Sequence, residues 1–145
     1  MADRLPAPSF VALGVLRIVT GLIFLEHGAQ KFLSFPAGTY AGSGWALDNP
    51  GAYAGIVELL CGALIAIGLL TRPAAFLASG TMAVAYWYAH APQNFFPVNN
   101  GGDAAILYCF VFLYIALAGP GAWNLDGILS RRRSDQRAAA AEARH

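Results

Sequence analysis

The sequence predicts an all-α integral membrane protein, a four-transmembrane-helix bundle with its N- and C-termini cytoplasmic. Three observations predict it. The 145 residues are 57% hydrophobic and only 12% charged, with a mean hydropathy of +0.52, whereas soluble domains carry about 25% charge. Four segments approach the roughly 20 apolar residues that a helix needs to cross about 30 Å of hydrocarbon. They do not alternate as barrel strands do. Finally, Lys and Arg gather on one side of the predicted spans.

The first span is placed over Phe10–Leu33. Arg17 interrupts its apolar centre and no small-x-small cleavage site follows before Glu26, so it reads as a retained span and not a cleaved leader. Gly14, Gly21 and Gly28 recur every seven residues, the period of a left-handed packing seam. The second span, Tyr53–Leu70, carries Gly51, Gly55, Glu58 and Gly62 on one stripe. Small residues admit a close neighbour, so this stripe should face another helix, inside the chain or across a homodimer. The third span, Ala74–His90, aligns Ser79, Ala83, Tyr86 and His90, and the fourth runs over Ala104–Ala118. Met1–Leu129 then form one membrane domain, and Ser130–His145 form a mobile Arg/Ala-rich cytoplasmic tail.

Arg4, Arg72, Arg131, Arg132, Arg133, Arg137 and Arg144 lie on the side of the termini, while the loops Ser34–Ala52 and Ala91–Asp103 hold no Lys or Arg. The basic side is cytoplasmic by the positive-inside rule. The tail arginines read first as this topology signal and second as a contact for anionic lipid.

Depth then follows from the 1.5 Å helical rise. Glu26, His27, Gln30 and Lys31 end the first span in its outer part; Glu58 lies in the outer part of the second; His90 ends the third; Asp103 begins the fourth. Asn100 joins them from the loop. Ionisable groups in a membrane are costly and usually pair or line a water-filled cavity. The candidate binding pocket is therefore Arg17, Gln30, Lys31, Glu58, Tyr86, His90, Asn100 and Asp103, with Glu26 and His27 as the proton-exchanging pair.

Plainer readings stand beside each. Arg17 at mid-bilayer reaches Glu58 either as a structural lock or to organise a proton or substrate step. Lys31 snorkels, Asp103 caps a helix, and His90 marks an interface. Two histidines and several carboxylates match no metal-ligand spacing. Cys61 and Cys109 fall at depths only roughly 4–5 Å apart, which admits a redox pair, although buried cysteine is usually a small apolar residue. Walker, GxGxxG, CxxC and HExxH motifs are absent, and a net charge of +1 offers no field for nucleic acid. Aromatic residues around the outer loops, among them Phe32, Trp45, Tyr86 and Phe95, would wall a flat apolar ring such as a quinone head group.

The stretches GLIFLEHGAQKF, GAYAGIVELLCGALIAIGLLTRPAAF and AVAYWYAHAPQNFFPVNNGGDAAILYCFVFLYIALAGPGAWNLD resemble the DoxX family of small four-helix inner-membrane proteins of bacteria. The likeness runs from about Leu16 to Asp126. Its most specific parts are Glu58-Leu59-Leu60-Cys61-Gly62 through Thr71-Arg72-Pro73-Ala74-Ala75 and the FFPVNNGG loop. The resemblance implies a redox-associated membrane subunit that holds a quinone or a small thiol or sulfur compound and takes electrons from a partner oxidoreductase, with no covalently bound cofactor. It also leaves room for a non-catalytic binding or assembly protein, as distant relatives are, and a small-solute permease is the third possibility.

Overall fold

The computed structural model describes residues 7–46 and 48–142. Arg4 and Arg144 of the charge bias lie outside them. Among the described residues every regular element is helical. Helix α1 spans Ala7–Leu33, α2 Pro50–Ile67, α3 Thr71–Ala85, α4 Pro97–Asn100, α5 Asp103–Ala118 and α6 Leu125–Glu142. The last turn of α3 widens into five residues of π-helix, Tyr86–His90. Both α1 and α2 are long and apolar enough to cross a membrane, and α5 is a shorter apolar helix. These elements begin and end within about three residues of the predicted spans.

Local chemistry sets the boundaries. Asn49 caps α2, accepting the Gly51 N–H at 2.8 Å, and Pro50 occupies the first turn, where its missing N–H is harmless. Gly68 ends α2 at φ +72°. There its N–H reaches Ile65 O, and the Leu69 N–H bonds to Leu64 O at 2.9 Å, a left-handed C-cap.

The predicted glycine seam is used inside the chain, between α1 and α2. A Cβ on Gly21 would stand 2.7 Å from Ala66 N, one on Gly28 2.5 Å from Leu59 N, and one on Gly62 2.5 Å from Leu25 N. Two backbones approach this closely only where the side chain is a hydrogen. Gly14 is used differently and packs on Ala122. Helices α3 and α5 pack together on the other side of the molecule, and α2 also contacts α3. Helices α1, α2, α3 and α5 feed one core that includes Leu13, Phe24, Ile65, Ala78, Phe112 and Ile115.

The stretch read as a mobile tail is helical as far as Glu142. Arg and Ala are strong helix formers, and Ala138–Ala141 are four alanines in a row, so intrinsic propensity supports a helix that buries no residue. Trp45 donates its indole N–H to Phe32 O at 3.1 Å, and the two rings meet edge to face.

Candidate functional site

The polar end of α1 separates into two faces. Lys31 turns inward and donates to Glu58 Oε1 at 2.8 Å, with Nζ also 2.8 Å from Oε2. The Lys31 and Glu58 side chains are 15% and 6% exposed. Gly55 makes this possible, because a Cβ there would meet Lys31 Cδ at 2.9 Å. Glu58 Oε2 is within ionic distance of the ammonium but lacks a hydrogen-bond partner of its own. Among the described residues it is therefore a buried acceptor with a free lone pair. Gln30 lies beside this face and donates to Pro36 O at 3.2 Å, tying down the following loop.

Glu26 and His27 turn the other way and are exposed on the flank of α1. His27 Nδ1 lies 2.8 Å from Ile23 O. A carbonyl only accepts, so the contact needs a proton on Nδ1. The His27 ring stands edge-on to Tyr108 of α5, with centroids 6.2 Å apart. Tyr108, half-buried, lies within Coulombic reach of both Glu26 and Glu58. It packs on Phe24 at 5.8 Å and on Phe112 at 5.6 Å. Sequence reading missed Tyr108. The available signal was a hydroxyl-bearing ring a turn and a half into a largely apolar span.

The expected Arg17–Glu58 pair does not form, and Arg17 is not at mid-span between polar partners. Its guanidinium sits level with the last turn of α2. Nε donates to Pro120 O at 2.7 Å, Nη1 to Ile65 O and Ala66 O at 2.7 and 2.6 Å, and Nη2 to Ala122 O and Trp123 O at 3.0 and 2.8 Å. The side chain is fully buried. The five N–H donors of a guanidinium thus meet five carbonyls, two of them in the last turn of α2, where Ile65 O also accepts from the Gly68 N–H. Arg72 caps α5 in the same way, donating to Ala116 O and Leu117 O at 3.0 and 2.6 Å. Asp126 completes this end by accepting from Leu70 N, Thr71 N and Thr71 Oγ at 2.9, 3.0 and 3.0 Å. Burial pushes its carboxyl up, but these donors and the Arg17 charge outweigh burial and hold it below the usual aspartate value. The sequence shows no pattern for such roles, since backbone carbonyls belong to every residue.

Tyr86, His90 and Asn100 form a separate group. The π-helix stacks the Tyr86 and His90 rings at 6.5 Å. His90 Nδ1 donates to Asn100 O at 3.0 Å. Asn100 is buried; its Nδ2 donates to Asn94 O and its Oδ1 accepts from Gly102 N, both at 2.8 Å. Among the described residues no hydrogen bond or ring contact joins this group to Lys31–Glu58. Asp103 stands exposed in the first turn of α5. Cys61 and Cys109 are both free thiols, and Ser79 donates to Cys109 O at 2.8 Å.

A family model, DoxX, matches residues 12–91, more than half of the chain. The protein belongs to the DoxX family. An uncharacterized protein of Haemophilus influenzae is 43% identical over 122 residues, covering 82% of this chain and 90% of its own length. An uncharacterized membrane protein of Mycobacterium tuberculosis is 33% identical over 134 residues, covering 81% and 80%. No solved structure matches. Family and relatives agree with composition in making this DoxX protein a membrane protein. The matched region contains Arg17, the polar end of α1, Glu58 and the π-helix. Tyr108, Asn100 and Asp103 lie beyond it.

Proposed function

We propose that this DoxX protein is a multi-pass inner-membrane subunit that holds a quinone against the α1–α5 flank and serves a partner oxidoreductase. In this reading α1, α2, α3 with its π extension, and α5 each cross the membrane, the termini are cytoplasmic, and Lys31–Glu58 lies in the outer half.

One observation carries the reading: a buried ion pair with a spare acceptor and an aromatic seam between α1 and α5. Helices α1 and α5 touch little, and the rings of Phe24, His27 and Tyr108 meet there. A lipid-soluble ring can arrive through such a seam from the bilayer without crossing water. The residues fit its polar atoms. Lys31 and the Tyr108 hydroxyl are donors for a carbonyl oxygen, and Glu58 Oε2 accepts from a hydroxyl. A bound quinone would supply two-electron carriage coupled to protons. The chain's own part is to orient the ring and hold protons. His27 and Glu26, neighbours on the exposed side of α1, form the exchange route towards the outer surface.

The test is solvent extraction of the detergent-purified protein, with quinone per chain quantified by mass spectrometry. Near-stoichiometric quinone in the wild type, lost in Glu58→Gln and Tyr108→Phe, supports the site. Quinone at the level of an unrelated membrane protein refutes it and favours the binding or assembly alternative, for which capture of a client protein is the next measurement.

A further inference from the structure

The end of the molecule opposite Lys31–Glu58 carries a cleft that the quinone reading does not use. It has a volume of about 450 Å³ and lies between α6 and the turn joining α2 to α3. Leu69, Leu70 and Leu129 give it an apolar side, and Leu70 and Leu129 are exposed by 58% and 42%. Arg133 and Arg137, one helical turn apart, continue the α6 stripe that Leu129 begins and line the same cleft. Ser130 and Ser134 are also in the lining, but their hydroxyls donate to Gly127 O and Ser130 O of their own helix. The donors free to meet a ligand are therefore the two guanidinium groups.

The carboxylate of Asp126 also borders the cleft and at first sight opposes an anion. Its oxygens are committed to the Leu70 and Thr71 donors, and the Arg17 charge acts on it as well. Its charge is thus already answered within the fold. Between Arg131 and Arg137 the chain holds four arginines against Asp135 alone.

We propose that this cleft binds an anionic phospholipid, with its phosphate between Arg133 and Arg137 and the upper part of its chains along Leu70 and Leu129. Planar guanidinium groups match phosphate oxygens in pairs. The cleft sits where α2 ends and α3 begins, so its ligand is at the level of lipid headgroups. Leucines and guanidinium groups lining one cleft fit an amphiphile better than a free anion. The inference requires only that α2 and α3 cross the membrane, and it is independent of the quinone site.

The test is titration of phosphatidylglycerol into the full-length protein in neutral detergent, read as bound lipid per chain by native mass spectrometry. Three proteins are compared: wild type, R133Q/R137Q, and R131Q/R132Q, whose arginines do not line the cleft. Loss of one basic group near an anionic lipid weakens binding about five-fold, so R133Q/R137Q should bind about 25-fold more weakly while R131Q/R132Q stays within about two-fold of wild type. All four side chains are exposed, and unchanged helicity and elution confirm that the fold is retained. Equal weakening in both double variants would show diffuse attraction to a basic helix and overturn the site. Full displacement of the lipid by excess inorganic phosphate would overturn the lipid assignment in favour of a small phosphate ligand.

Discussion

Arg17→Lys isolates the one-to-one match between donors and carbonyls at the base of α1. The charge is kept, and so is most of the stem. What changes is the donor count, from five in a fork to three on a point. At least two of the carbonyls of Ile65, Ala66, Pro120, Ala122 and Trp123 then lose the guanidinium donor, and of these Ile65 O alone is also seen to accept from the Gly68 N–H. A buried acceptor left unpaired costs about 1–3 kcal/mol, which gives about 2–6 kcal/mol. The bonds to Ile65 O and Ala122 O are buried, and the other three are partly open to the surface. Water can therefore rescue some carbonyls and Ile65 O keeps the Gly68 N–H, which favours the lower part of the range, about 2–4 kcal/mol. Equilibrium unfolding in mixed micelles, followed by helicity, measures this directly. Quinone per folded chain should stay at the wild-type value, because Lys31–Glu58 does not touch Arg17. A loss below about 0.5 kcal/mol would refute the donor accounting, and selective loss of quinone from a stable variant would return Arg17 to the binding site.

Gly28→Ala places a methyl group 2.5 Å from Leu59 N and should destabilise by about 1–3 kcal/mol as α1 and α2 are forced apart. Gly80→Ala, where nothing lies within 4 Å, should gain about 0.5–1 kcal/mol from helix propensity, and the same unfolding titration reads both. Lys31→Met leaves the Glu58 charge buried without a cation and should cost about 3–5 kcal/mol, with much of it recovered in the Lys31→Met/Glu58→Gln double variant; no recovery would mean that the pair is not the interaction lost. The folded-state value of Asp126 lies below its ordinary 3.8, so its contribution is complete above that value and falls away as pH drops through the lower folded one. Acid titration of helicity should show the wild type losing stability below about pH 4, whereas Asp126→Asn starts less stable at neutral pH and lacks that component.

Much of this protein is legible in one dimension. Apolar runs of span length give its membrane class and the ends of its helices, because hydrocarbon thickness fixes how many residues must be apolar. The seven-residue glycine repeat and the Gly55–Glu58–Gly62 stripe give the faces that pack, because helical geometry turns spacing into direction. Depth likewise collects Glu26, His27, Lys31, Glu58, His90 and Asn100 toward one end.

Period and depth do not say which helix stands beside which, or how far each is rotated. Glu58 takes Lys31 and not Arg17, Glu26 and His27 turn outward, and Tyr108 enters from α5 beside them. These outcomes depend on lateral neighbours that only the assembled helices define. Arg17 was the least readable residue for a simpler reason. Its partners are five backbone carbonyls, and every residue carries one, so no side-chain pattern could mark those that the fold leaves unpaired.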